Sequence, residues 1–208
     1  MNTANPRKPQ WDAEYSEPIA GRAGRTMRGR QPGENWVTQT GANMLIKTLV
    51  WALGVVACLA VLLVVAGQIG LLQGTAPASP GVREGRLKPP SATPNSVSSQ
   101  AALYPEHAMR GYAQIAPLAL RGDGAASLAH LRRLIEAMPG AKIVKSEPDY
   151  LYAQFTTRLL RFVDDAEFWF DPAAGAIQVR SASRLGRKDL GVNRERIEAI
   201  RAQLAAQP

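Results

Sequence analysis

The stretch AEFWFDPAAGAIQVRS, residues 166–181, predicts an antiparallel hairpin and thereby the class of the soluble fold. Two short runs in which apolar and polar residues alternate flank the sequence PAAG. A four-residue loop at 172–175 sets Phe170 opposite Ile177 and Phe168 opposite Val179. The apolar side chains then share one face, which we expect to form part of the core.

The opposite face of this hairpin carries polar and charged side chains. In the same register Glu167 lies opposite Arg180, and Trp169 lies opposite Gln178. We therefore expect a structural cross-strand ion pair between Glu167 and Arg180. Such a pair contributes less than about 1 kcal/mol when it is exposed to solvent.

Upstream of the hairpin, the pattern predicts a helix and further strands. Apolar residues recur at helical spacing between Asp123, which is placed to cap the helix, and the breaker Pro139-Gly140. Residues 141–146 and 150–159 are rich in β-branched and aromatic side chains, which predicts two strands. We expect another strand at residues 112–120.

Downstream, the chain predicts a second helix from about Arg194, with Asn193 as its N-cap. Its apolar stripe consists of Ile197, Ile200 and Leu204. The order of elements predicts an α+β fold, an antiparallel sheet with two helices on one face.

Toward the N-terminus, LVWALGVVACLAVLLVVAG at residues 49–67 has nineteen residues without charge or proline. A helix of that length covers roughly 29 Å, which is about the hydrocarbon thickness of a bilayer. The run is apolar on all sides, unlike a core helix, and it is longer and later than the apolar part of a signal peptide. We therefore predict a single transmembrane helix at residues 43–74 that precedes the soluble domain.

The flanking segments suggest an orientation and a division of the chain. Residues 1–42 are predicted to form a disordered basic tail, residues 75–94 a Pro-rich linker, and residues 95–208 the soluble α+β domain. Seven basic residues precede the span, which favours a cytoplasmic N-terminus and an extracytoplasmic, periplasmic domain on the inner membrane of a cell envelope. The high content of Ala, Arg and Gly suggests a GC-rich bacterium.

The composition excludes several classes of function. The net charge of +8 is spread along the whole chain, so no face dedicated to nucleic acid is expected. The only cysteine, Cys58, lies within the apolar run, and the chain has only two histidines. The sequence contains no nucleophile elbow, phosphate loop or dinucleotide motif, and we predict neither a cofactor, a metal site nor a set of catalytic residues.

Two longer segments carry a family resemblance. DYLYAQFTTRLLRFVDDAEFWFD, residues 149–171, and IQVRSASRLGRKDLGVNRERIEAIR, residues 177–201, closely resemble the domain-of-unknown-function family 1499, which is often attached to a membrane span. The likeness extends from Asn95 to about Leu204. The resemblance implies no particular activity, because the family has no agreed biochemical function. At one position the chain differs, since Ser96 stands where members often carry a cysteine, and a thiol-based role is excluded here.

Guanidinium and hydroxyl groups gather just before the last helix, an arrangement suited to an anion such as a phosphate or lipid headgroup. The candidate residues are Arg180, Ser181, Ser183, Arg184 and Asn193. The alternative is structural, with Arg180 paired to Glu167 and Asn193 capping the helix.

Three carboxylates, Asp164, Asp165 and Glu167, suggest an oxygen-ligand set for a divalent cation. Strand alternation sends Asp165 and Glu167 away from Asp164, so a turn with surface ion pairs is the favoured interpretation.

Three functions are compatible with these patterns. The first is a membrane-tethered accessory or binding module, whose partners are the bilayer, an anionic lipid or another envelope protein. The alternative is an envelope enzyme that acts on an anionic, phosphate-bearing or lipid substrate through Arg180, Arg184 and the carboxylates. The third is a structural spacer. The lack of catalytic motifs favours the first.

Overall fold

The computed structural model describes residues 34–206, with side chains from residue 40 onward. Helix α1 spans Glu34–Gln68, and its segment Thr40–Gln68 is long and apolar enough to cross a membrane, with a mean hydropathy of 2.9 and none of that window buried. The helix therefore begins before the predicted residue 43 and ends before the predicted residue 74. Residues 1–33 of the predicted disordered tail lie outside the described part, whereas residues 34–42 are helical.

Helix α1 ends in a Schellman motif. The Leu71 amide donates to the Ala66 carbonyl and the Gly70 amide donates to the Gly67 carbonyl, each at 3.0 Å. Gly70 has φ +89°, a conformation that a residue with a side chain rarely adopts. The apolar sequence continues past this point, so the glycine rather than the hydrophobicity determines where the helix stops.

The soluble part is an antiparallel sheet with helices, as predicted. The strands are β1 Ser96–Ser98, β2 Leu118–Ala119, β3 Ala141–Ser146, β4 Tyr150–Thr156, β5 Val163–Asp171 and β6 Ala176–Ser183. The helices that follow α1 are a 3₁₀ turn Ala101–Leu103, α2 Arg110–Ala113, α3 Gly124–Glu136 and α4 Val192–Ala206. The strands are paired in the order β1-β6-β5-β4-β3, and β2 pairs with β6 beside β1.

The register of the β5–β6 hairpin is confirmed. Phe170 lies opposite Ile177 and Phe168 opposite Val179, with Glu167 opposite Arg180 on the other face. The apolar face of the sheet packs against α3 and α4, which confirms the predicted layer of two helices on one face. The core includes Leu128, Leu131, Ile135, Leu151, Phe168, Ile177, Val179, Ile197, Ile200 and Leu204.

Helix α3 is capped as predicted, because the Asp123 carboxylate accepts a hydrogen bond from the Ala126 amide at 2.7 Å. One other prediction is corrected. The predicted strand at residues 112–120 is mostly not a strand: the helix Arg110–Ala113 takes its start, and only Leu118–Ala119 pair with β6. Apolar residues of this segment are buried in the core, although most of its backbone forms no hydrogen bonds with a neighbouring strand.

The second face of the sheet is covered by part of the predicted linker. We call residues 81–89 the strap. Leu87, 1% exposed, packs in a separate apolar cluster with Tyr150 and Tyr152, and Val82 and Trp169 lie against it. The strap turns at Arg83 and Arg86, which exchange backbone hydrogen bonds at 2.9 and 3.0 Å. The segment predicted as a spacer is therefore, in its second half, a packed part of the domain.

Candidate functional site

The helix-covered face of the sheet holds a buried polar network centred on Asn193, which is 0% exposed. Its side-chain amide donates to the Asp189 carboxylate and the Ser183 hydroxyl, both at 2.9 Å, and its oxygen accepts from the Ser181 hydroxyl at 2.5 Å. Helix α4 begins at Val192, and the Asp189 carboxylate accepts hydrogen bonds from the Gly191 amide just before it and from the Asn193 amide within it, so Asp189 caps the helix. Asn193 is turned inward, and its predicted role as N-cap is corrected.

An ion pair extends this network. Arg196 Nη2 lies 2.5 Å from Asp164 Oδ2, and the two side chains are only 10% and 8% exposed. The same guanidinium donates to the Asn193 oxygen at 2.8 Å and lies over the Phe155 ring, 4.6 Å from its centre. Every charged group of the pair thus has partners within the protein.

The electrostatics of Asp189 agree with a structural role. Burial alone would raise the pKa of its carboxyl group, but hydrogen bonds from the Tyr112 hydroxyl and from Asn193 outweigh it and lower the pKa below its usual value. The carboxylate is therefore held in its ionised form at the start of α4, where a negative charge interacts favourably with the helix dipole.

The opposite face holds a second set of polar side chains beneath the strap. Asp165, 5% exposed, accepts two hydrogen bonds from the Arg184 guanidinium at 2.8 Å each, and a third from the Tyr152 hydroxyl at 2.5 Å. Burial, together with the hydrogen bond to Asp165, raises the pKa of Tyr152. In this triad the charges of Asp165 and Arg184 cancel, and both oxygens of the Asp165 carboxylate already accept hydrogen bonds.

Glu167 lies beside this triad and is 1% exposed. Its Oε2 accepts hydrogen bonds from the Tyr150 hydroxyl and from the Gly81 amide of the strap, both at 2.6 Å. Burial and the charge of Glu167 raise the pKa of Tyr150. The predicted contact with Arg180 is corrected, because the register brings the two residues opposite each other but the described side chains form no direct ion pair.

Arg180 instead binds the strap, since its Nε donates to the Pro89 carbonyl at 3.1 Å. Within the described residues its two terminal nitrogens have no hydrogen-bond acceptor, and Lys88 has neither a hydrogen bond nor an ion pair. Burial lowers the pKa of both groups, and the negative charge of Glu167 opposes this effect. The charges of Arg180 and Arg83 further lower the pKa of Lys88.

The five residues of the predicted anion site do not converge. Ser181, Ser183 and Asn193 belong to the helix-covered face, whereas Arg180 and Arg184 lie on the strap-covered face. Arg184 donates through Nε and Nη2 to Asp165, whereas neither terminal nitrogen of Arg180 has an acceptor among the described residues. A second cation near Arg180, Lys88, was not among the predicted residues of the site. It lies in the segment that the sequence predicts to be a linker, and no sequence pattern connects that segment with the sheet.

The three carboxylates also divide between the faces, as strand alternation predicts. Asp164 binds Arg196 on one face, and Asp165 and Glu167 point to the other. The prediction of an exposed turn is wrong, because all three side chains are buried in strand β5. Among residues 34–206, no three His, Cys, Asp or Glu side chains are grouped so that they could hold a metal ion.

Comparison with known proteins gives one match. The model of a family described as protein of unknown function, DUF1499, matches residues 86–204. The matched range begins within the strap, which agrees with the packing of Leu87 against the sheet. No curated protein and no solved structure matches the chain.

Proposed function

We propose that this chain, which belongs to the DUF1499 family of proteins of unknown function, is a membrane-anchored module whose extracytoplasmic domain binds an anionic, phosphate-bearing envelope component. The observation that carries the proposal is the state of Arg180. Its Nε is fixed on the Pro89 carbonyl, while its terminal nitrogens have no acceptor among the described residues. A guanidinium held in this way presents a planar pair of donors that suits a phosphate.

The charge balance around Arg180 supports an anion as the ligand. Lys88 and Arg83 interact electrostatically with each other, and Lys88 also interacts with Arg180. The carboxylate that opposes them, Glu167, already accepts hydrogen bonds from Tyr150 and Gly81. Asp165 also acts on Lys88 and Arg180, but its charge is paired with that of Arg184. Lys88, Arg83 and Arg180 against Glu167 then leave an excess of two positive charges, which a bound phosphate group would neutralise.

The membrane anchoring rests on α1, and the direction of insertion rests on the basic residues that precede it. A reporter enzyme that is active only outside the cytoplasm, fused to the C-terminus, tests the direction. We expect activity from this fusion and none from the same reporter at the N-terminus. The reverse pattern would place the domain in the cytoplasm.

The binding proposal predicts a loss of affinity in Arg180→Gln. Removing one charge-assisted interaction should weaken the binding of diphosphate to the full chain in neutral detergent by about tenfold to a hundredfold. Arg180→Lys, which keeps the charge but not the planar fork, should lie in between. Isothermal titration calorimetry at low salt gives the affinities.

A matched control is available on α3. The Arg133 side chain is exposed and forms no hydrogen bond or ion pair within the described part of the chain, so Arg133→Gln removes the same charge from another surface. We expect it to bind diphosphate like the wild type. If both variants lose affinity equally, the binding reflects net charge and the proposed site is wrong.

The lowered pKa of Lys88 predicts a pH dependence. The ammonium group attracts an anion only while it is protonated, so affinity should fall as pH rises through the pKa of Lys88. Because burial lowers that pKa, the fall should begin below the usual lysine value of about 10.4. Sulfate is the suitable probe, since its own charge is constant in this range. Lys88→Gln should abolish this pH step, and a step that persists in that variant would assign it to another group.

An envelope enzyme is the second candidate, and one observation favours it. Arg180, Asp165 and Glu167 share the strap-covered face, so the charged groups required for chemistry on an anion lie on one side of the sheet. Both carboxylates are however already occupied by tyrosine hydroxyls and other donors. Turnover of a bound phosphate ester that is lost in Glu167→Gln while binding is retained would favour the enzyme over the binding module.

A further inference from the structure

The end of α1 and the segment that follows it lie against two loops of the domain. From Trp51 onward the described chain forms one compact unit, which includes this part of the helix. The Gln68 side-chain amide donates to the Leu159 carbonyl at 2.9 Å and to the Arg158 carbonyl at 3.3 Å. A Cβ atom on Gly67 would lie 2.5 Å from the Leu160 carbonyl oxygen, so the contact requires glycine. A helix that spans a bilayer would thus hold this loop at the bilayer surface.

The second loop is tied to the segment that follows α1. A Cβ atom on Gly74 would lie 2.8 Å from Arg184 Cβ and 2.9 Å from the Leu185 side chain, at the start of the loop between β6 and α4. Val192, the first residue after that loop, and Arg158 of the first loop line the same open groove of about 780 Å³. The two loops therefore form one continuous edge of the domain.

Large apolar side chains project from this edge. Leu159, Leu185 and Leu190 are 62%, 42% and 88% exposed. Leu190 also has φ +53°, a conformation that is unfavourable for a residue with a side chain. The exposure of Leu190 has no explanation in the packing of the domain, and it is explained if the side chain is covered by lipid.

The same loops carry exposed cations. Arg158 and Arg161 lie in the first loop, and Arg187 and Lys188 lie in the second. None of the four has an ion-pair partner within residues 34–206. Leucines flanked by unpaired basic residues are the composition that binds the interface of an anionic bilayer.

We propose that these two loops form a lipid-binding rim, consisting of Leu159, Leu185, Leu190, Arg158, Arg161, Arg187 and Lys188, which rests on an anionic bilayer beside the membrane span. The leucines enter the interface and the cations lie among the lipid phosphates. The proposal depends on the membrane anchoring proposed above and is independent of the Arg180 site. It assigns to the rim the role of fixing the domain on the membrane surface.

Site-specific fluorescence tests the rim in the full chain. Cys58 is the only cysteine, so a Cys58→Ala background accepts single cysteines at positions 159, 190 and 174 for labelling with an environment-sensitive dye. Ala174 is exposed in the β5–β6 turn, at the other end of a nine-residue strand and thus roughly 30 Å away. The protein is reconstituted into phosphatidylcholine vesicles with and without phosphatidylglycerol, with a spin-labelled lipid as quencher.

We expect the dyes at 159 and 190 to be quenched several-fold more strongly than the dye at 174 when phosphatidylglycerol is present. Charge reversal by Arg187→Glu with Lys188→Glu should remove the difference at 190, and Arg133→Glu should leave it unchanged. Equal quenching at the three positions in both kinds of vesicle would overturn the rim. Vesicle flotation after an alkaline wash distinguishes a failure of the rim from a failure of the membrane anchoring. Protein that is lost from the vesicles in this wash would refute the anchoring itself.

Discussion

Replacing Asp164 by alanine is expected to lower the free energy of unfolding by about 3–5 kcal/mol, because it leaves the Arg196 guanidinium as an uncompensated buried charge. The pair is 2.5 Å apart and about nine-tenths buried, so water cannot replace the lost carboxylate. The effect should spread to Asn193, which shares the same guanidinium. Urea unfolding of the full chain in detergent, followed by circular dichroism, measures the change.

The surface of α3 provides the control for this prediction. Glu136 pairs with Arg132 at 2.8 Å, but the two side chains are 45% and 49% exposed. Glu136→Ala should therefore cost less than about 1 kcal/mol. Equal costs for Asp164→Ala and Glu136→Ala would contradict the assignment of the Asp164 pair as a buried structural element.

A double replacement separates charge from packing at the same pair. Asp164→Leu combined with Arg196→Met removes both charges while it keeps most of the volume, and such exchanges are often neutral or stabilising. We expect the double variant to be more stable than Asp164→Ala alone. If it is as unstable as the single variant, the hydrogen bonds of Arg196 to Asn193 and Ser181 contribute more than the charge pair does.

The hairpin shows which structural features can be predicted from the sequence alone. The period of two along a strand and a four-residue loop determine the register, because a slip of one residue would place Phe168 and Val179 in solvent. The same period separates Asp164 from Asp165 and Glu167. It also separates the predicted anion-binding residues on β6, so the division of that site between two faces could have been predicted.

Burial of the charged side chains could not be predicted in this way. Alternation tells which face a side chain occupies, but the depth of Glu167 depends on Gly81, which is 86 residues away in the chain. The proline and glycine content of residues 75–94 is typical of a spacer. One leucine and one valine in the strap give no periodic pattern, and only their packing against Tyr150 and Trp169 shows that the segment belongs to the domain.

The packing of the strap leads to the second large prediction, that Leu87→Ala lowers the free energy of unfolding by about 2–5 kcal/mol. Leu87 is 1% exposed between two tyrosines, so the truncation leaves a cavity. The backbone around it is also fixed, since the Leu87 amide donates to the Gln100 side chain at 2.8 Å and its carbonyl accepts from the Tyr104 hydroxyl at 2.5 Å. Equilibrium urea unfolding gives the change.

Hydrogen exchange on the same variant tests whether the strap loosens first. The amides of Gly81 and Leu87 donate to side chains of the domain and should be protected in the wild type. In Leu87→Ala we expect faster exchange in peptides from residues 80–90, with less change in β5 and β6. Leu103→Ala, at a position that is 44% exposed, should affect neither stability nor exchange by more than about 0.5 kcal/mol. A Leu87→Ala variant as stable as the wild type would show that the strap acts only as a spacer, and the enclosure of Glu167 and Arg180 would then have to be ascribed to the sheet alone.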